Sequence, residues 1–98
     1  MILITTITYP TESTHEIARR FLEAPTLPDY IARQGPFVAA SKECGIQVIS
    51  FYELDNAKLA DGIQAIGNYM AIFFGVPGFK YQIVPYLEIS EALKTIGM

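Results

Sequence analysis

Seven side chains have the types and spacing of a binding cavity. Gln47, Phe51 and Glu53 fall on one side of an alternating segment at residues 46–54. Gln82 and Tyr86, with Val84, share one side of another at 79–89, and Thr6 and Thr8 join them from a third at 1–9. A mostly apolar cavity with a few convergent polar groups is the usual form of a small-molecule site. Glu53 is its one acid. Buried without a cation, a carboxyl favours its neutral form and can donate a hydrogen bond or act as a general acid. In water, or beside a base such as Arg33 or Lys80, it keeps its charge, and the seven residues are then the polar rim of an interface.

The other chemistry-bearing residues have structural explanations. His15 sits in the first turn of a predicted helix beside Glu12, Glu16 and Arg19. A general base needs a carboxylate partner and a substrate within hydrogen-bond reach. One histidine without a Cys/His cluster is a poor metal ligand set, so no metal is expected. Arg19 and Arg20 could hold an anion, but Glu16/Arg20 and Arg19/Glu23 are i,i+4 pairs of the kind found on a solvated helix face. Cys44, the single cysteine, excludes an internal disulfide and a Cys-based metal framework. It falls at a hairpin tip beside Glu43, and a neighbouring carboxylate disfavours the thiolate a nucleophile requires. Tyr69, Met70, Phe73 and Phe74 read as core under a C-terminal helix rather than as the floor of a cofactor pocket. No cofactor is expected.

Those residues must be positioned by one small domain, because 98 residues leave no room for two cores. Apolar residues make up 51% of the chain and charged residues only 17%, against about 25% in an ordinary domain. So little charge suggests that a partner covers part of the surface. The net charge of −3, with no basic cluster beyond Arg19-Arg20, excludes a nucleic-acid footprint. The start, Met-Ile-Leu-Ile-Thr-Thr, lacks the basic region of a signal peptide. The longest apolar stretch, 63–79, is interrupted by Gln64, Asn68, Gly75, Pro77 and Gly78, too often to span a bilayer. The expectation is a cytoplasmic protein with no membrane or nucleic-acid partner.

Residues 1–9 read as a strand, and Ser13-Thr14-His15-Glu16 as a capping box opening a helix through Ile17, Ala18, Phe21 and Leu22 that stops at Ala24-Pro25. Three prolines and a glycine make 25–36 a loop, with one turn around Asp29-Tyr30-Ile31. Strands at 37–42 and 46–54 join through Glu43-Cys44-Gly45, where Gly45 supplies a positive φ. Asp55 or Asn56 caps a second helix with a core stripe of Leu59, Ile63, Ile66, Met70 and Phe73, ended by Gly75-Val76-Pro77-Gly78. A last strand at 79–89 precedes a short helix capped by Ser90 and carrying Ala92, Leu93 and Ile96. The order β-α-β-β-α-β plus a terminal helix predicts an α+β, ferredoxin-like sandwich over residues 1–98. Its four-stranded antiparallel sheet would be ordered 4-1-3-2, with both long helices on one face. Pro85 fits a last strand at the sheet edge.

Two helices cover one face of such a sheet, and the other should turn polar if it meets water. It does not: Ile49 and Phe51 oppose Ile46, Val48, Tyr52 and Leu54, and Val84 and Tyr86 oppose Phe79, Tyr81, Ile83 and Leu87. A second copy of the same sheet is the simplest cover, so a homodimer through the helix-free face is expected. The start of the chain, with Tyr9-Pro10 and Ile17-Ala18-Arg19-Arg20-Phe21-Leu22-Glu23, resembles small proteins of the dimeric α+β barrel superfamily. So does its end, Tyr81-Gln82-Ile83-Val84-Pro85-Tyr86-Leu87-Glu88 followed by Ser90-Glu91-Ala92-Leu93. The resemblance implies two ferredoxin-like units packed sheet to sheet and carries no active-site signature. Two functions follow as expectations. One is a dimeric small-molecule-binding, ligand-sensing or interaction module. The other is a cofactor-free enzyme, monooxygenase- or isomerase-like, acting on a small, mostly apolar substrate.

Overall fold

A computed structural model describes residues 1–43 and 45–98. Its elements are β1 (Ile2–Tyr9), α1 (Thr14–Leu22), β2 (Ala32–Ser41), β3 (Gly45–Glu53), α2 (Leu59–Ala71), β4 (Lys80–Tyr86) and α3 (Ile89–Thr95). The strands form one open antiparallel sheet in the order β2-β3-β1-β4, which from the β4 edge runs 4-1-3-2. Single 3₁₀ turns at Thr11–Ser13 and Asn56–Lys58 lead into α1 and α2, and the sequence did not suggest them.

Period-two alternation decides which side chains meet the helices. In β1, Leu3, Thr5, Ile7 and Tyr9 are buried, while Ile2, Ile4, Thr6 and Thr8 on the opposite face are half-buried. The buried set packs with Tyr52 and Leu54, with Ile17 of α1 and with Ile66, Tyr69 and Met70 of α2 in one core. Both long helices therefore lie on the same face of the sheet. Among the described residues no helix is long and apolar enough to cross a membrane.

Several local expectations are corrected. Residues 32–36 are strand, not loop: Ala32, Arg33 and Gln34 pair with Glu53, Tyr52 and Phe51. Pro36 is tolerated because β2 is an edge strand and the ladder is already irregular between Gln34 and Phe37. The expected turn is present, with the Ile31 amide donating to the Pro28 carbonyl (3.1 Å). Gly45 does take a positive φ, +73°, and a side chain there would press on the Tyr9 carbonyl. Cys44 lies outside the described residues.

The expected core stripe of α2 holds at Ile66, Met70 and Phe73, which are buried, and fails at Ile63. Gly62, Ile66, Tyr69 and Met70 are buried, while Ile63 is 38% exposed. Gly62 takes a buried place beside that stripe: a Cβ there would run into Leu54 Cδ1, so its bare backbone packs close to the sheet.

The caps differ too. The Ser13 hydroxyl caps nothing in α1; it donates to the Pro77 carbonyl (2.7 Å), tying the start of α1 to the loop after α2. Asp55 makes no side-chain cap, and Asn56 Nδ2 donates to Glu91 Oε2 (2.7 Å). Ser90 is inside α3, whose start is held by the Glu88 amide donating to Glu91 Oε1 (3.2 Å).

Candidate functional site

The strand register places all seven candidate residues on the helix-free face. Along β1, Ile2 stands between Glu53 and Tyr86, Ile4 between Phe51 and Val84, Thr6 between Ile49 and Gln82, and Thr8 between Gln47 and Lys80. The centre of this face is apolar. Phe37, 52% exposed, meets Phe51 edge to face with ring centroids 6.3 Å apart. Glu53 is exposed and forms no ion pair among the described residues. Lys80 cannot serve as its partner, because their register positions on β1, Ile2 and Thr8, are six residues apart, about 20 Å of strand. Arg33 pairs with Tyr52 and so belongs to the other face. A hollow of about 130 Å³ at the Ile2 end touches Phe51 and Glu53, and Arg33 also borders it.

A more apolar cavity lies on the opposite face, where none of the seven reaches. It measures about 170 Å³ and sits between the sheet and both helices. Ile7, Val48 and Val38 form its sheet side; Ile17, Phe21, Met70 and Phe73 form its roof. Its polar groups come from four elements: Tyr9 of β1, Arg33 of β2, Tyr52 of β3 and Tyr69 of α2. Burial pushes the Tyr9 and Tyr69 hydroxyls above the usual phenol range; for Tyr69 the neighbouring Arg33 guanidinium opposes part of that shift. These hydroxyls are therefore protonated donors at neutral pH.

Tyr52 and Arg33 are the groups sequence reasoning missed. A signal existed for Tyr52: it shares a side with Ile46, Val48 and Leu54, so its phenol had to enter the core, where a hydroxyl needs a partner. Arg33 lies in the stretch that reads as loop, and Tyr69 reads as plain core.

The remaining candidates are accounted for locally. His15 is exposed, without a hydrogen bond or ion pair among the described residues. Arg19 bridges Glu16 and Glu23, and Arg20 Nε donates to Glu16 Oε1 (2.8 Å), as the i,i+4 spacing indicated. Arg20 does more than that spacing suggests, because its Nη1 also donates to the Ile72 and Phe74 carbonyls. Phe74 is not under the C-terminal helix; it packs on Phe79 and Tyr81, while Glu91 of α3 reaches Met1 and Asn56. Among the described residues, no group of three or more His, Cys, Asp or Glu side chains is placed to hold a metal ion. No protein-family model matches the chain, and no curated protein matches it.

Proposed function

We propose that this chain is a ferredoxin-like unit of a homodimeric α+β barrel, two copies packed by their helix-free faces, and that it works as a small-molecule-binding or ligand-sensing module. The observation that supports the dimer is the apolar centre of the helix-free face: Ile4, Ile49, Phe51 and Val84 are contiguous across β3, β1 and β4, with Phe37 exposed beside them. Water against such a patch is unfavourable by about 25 cal/mol per Å², and an interface of standard size, about 1,600 Å², offsets the cost of association. A second copy also suits the charges. Among the strand residues of this face, Glu53 stands at one end and Lys80 at the other, so a two-fold axis that reverses strand direction brings opposite signs toward the same end.

The ligand site in this reading is the cavity beneath the helices, which remains open to solvent when the opposite face is covered. Its wall offers phenols and a guanidinium. With no carboxylate or imidazole among its described lining residues to act as a base, that set suits binding better than proton transfer.

Light scattering tests the reading. The wild type should have twice the 10.9 kDa chain mass at micromolar concentration, and Phe51→Glu should be a folded monomer. A wild-type monomer mass would overturn the proposal.

A further inference from the structure

We infer that the cavity between the sheet and the two long helices takes a small monocarboxylate with a compact apolar body, its head group held by Arg33, Tyr52 and Tyr69. This deepens the proposed small-molecule reading and rests on it.

Three observations carry the assignment. The first is an unpartnered polar group. The Tyr52 side chain is only 2% exposed and lines the cavity, and its hydroxyl makes no hydrogen bond among the described residues. No buried side-chain oxygen or nitrogen is left without a partner among the described residues, so this hydroxyl opens into the cavity, where it can donate to an acceptor that enters. The second is an unpaired cation. Arg33 lines the same cavity, stands directly across the β2–β3 ladder from Tyr52, and forms no ion pair among the described residues. Its planar fork matches a carboxylate with two parallel hydrogen bonds. The third is size. A cavity of about 170 Å³ compares with the roughly 150 Å³ cavity known to hold benzene. One ring or a short branched chain fits; a nucleotide does not.

The donors set the sign of the ligand. Arg33 is a cation, and burial holds the Tyr69 hydroxyl above the usual phenol range, so it is protonated and able to donate. A carboxylate accepts from all three groups through two oxygens, whereas a neutral hydrocarbon leaves Tyr52 unpaired. Ile17, Val48 and Phe73 would surround the apolar body.

Benzoate, with benzyl alcohol and toluene as neutral controls of similar size, tests this on the intact protein by NMR titration of the Ile17 and Val48 methyl groups. Benzoate should bind at least tenfold tighter than benzyl alcohol. Arg33→Gln should remove that advantage and leave toluene within twofold of wild type. Tyr52→Phe should weaken benzoate at least threefold without affecting toluene, which keeps the test alive if Arg33→Gln does not fold. If toluene binds but benzoate is no tighter than benzyl alcohol, the anion assignment fails while the binding-module reading survives. If none of the three probes shifts Ile17 or Val48, both fail.

Discussion

The Arg20 guanidinium donates to the Phe74 carbonyl over 2.8 Å, linking α1 to the end of α2 across 54 residues of sequence. It also donates to the Ile72 carbonyl at 3.0 Å, so one side chain satisfies two acceptors that the helix end leaves free. A cation at a helix C-terminus gains from the macrodipole as well. Arg20→Ala should therefore destabilise the fold by about 1–2 kcal/mol in urea unfolding. Arg19 has more carboxylate contacts, but it is exposed and its partners lie on its own helix. Arg19→Ala should lower the urea midpoint less than Arg20→Ala does.

Two glycines of α2 should respond in opposite directions to the same substitution. Around Gly67 the space is open, so Gly67→Ala should stabilise by about 0.5–1 kcal/mol through reduced backbone freedom in the unfolded chain. At Gly62 the new methyl meets Leu54, and Gly62→Ala should destabilise by about 1–3 kcal/mol through overpacking. Urea midpoints of the two variants check both signs.

Glu16 supplies the acid-side pH dependence. Hydrogen bonds from Arg19 first, and then Arg20, lower its carboxyl from 4.5 to about 2. A depressed carboxyl contributes stability that is present above the unfolded value and is lost as pH falls through the folded one. The contribution should disappear between about pH 4.5 and 2, and Glu16→Gln should flatten the stability curve in that window. In an NMR titration, Arg19→Gln should move the Glu16 midpoint upward more than Arg20→Gln does.

The strands were the most legible part of the chain, because alternation alone assigns faces. Thr6, Thr8, Gln47, Phe51, Glu53, Gln82 and Tyr86 share a face, as the alternation indicated. The caps were not legible. The Ser13 hydroxyl finds Pro77, 64 residues away, and Asn56 finds Glu91, contacts that no local pattern encodes. Residues 32–36 were hidden because Gly35-Pro36 reads as a breaker, and only an edge position makes that pair compatible with a strand. The cavity was hidden for a related reason. Its polar groups come from four elements, so no local pattern within any one of them encodes their convergence.

The covered sheet face is the central claim, and contacts between two copies test it most directly. In a sample mixing isotope-labelled and unlabelled chains, isotope-filtered NOE spectroscopy records only proximities between copies. The account predicts intermolecular NOEs from the Ile4, Ile49 and Val84 methyl groups to aromatic protons of Phe51 and Phe37, and none from Ile17 or Ile66, which lie under the helices. Intermolecular NOEs confined to other surfaces, or none at all at concentrations where the three methyl groups exchange freely with water-soluble probes, would contradict it.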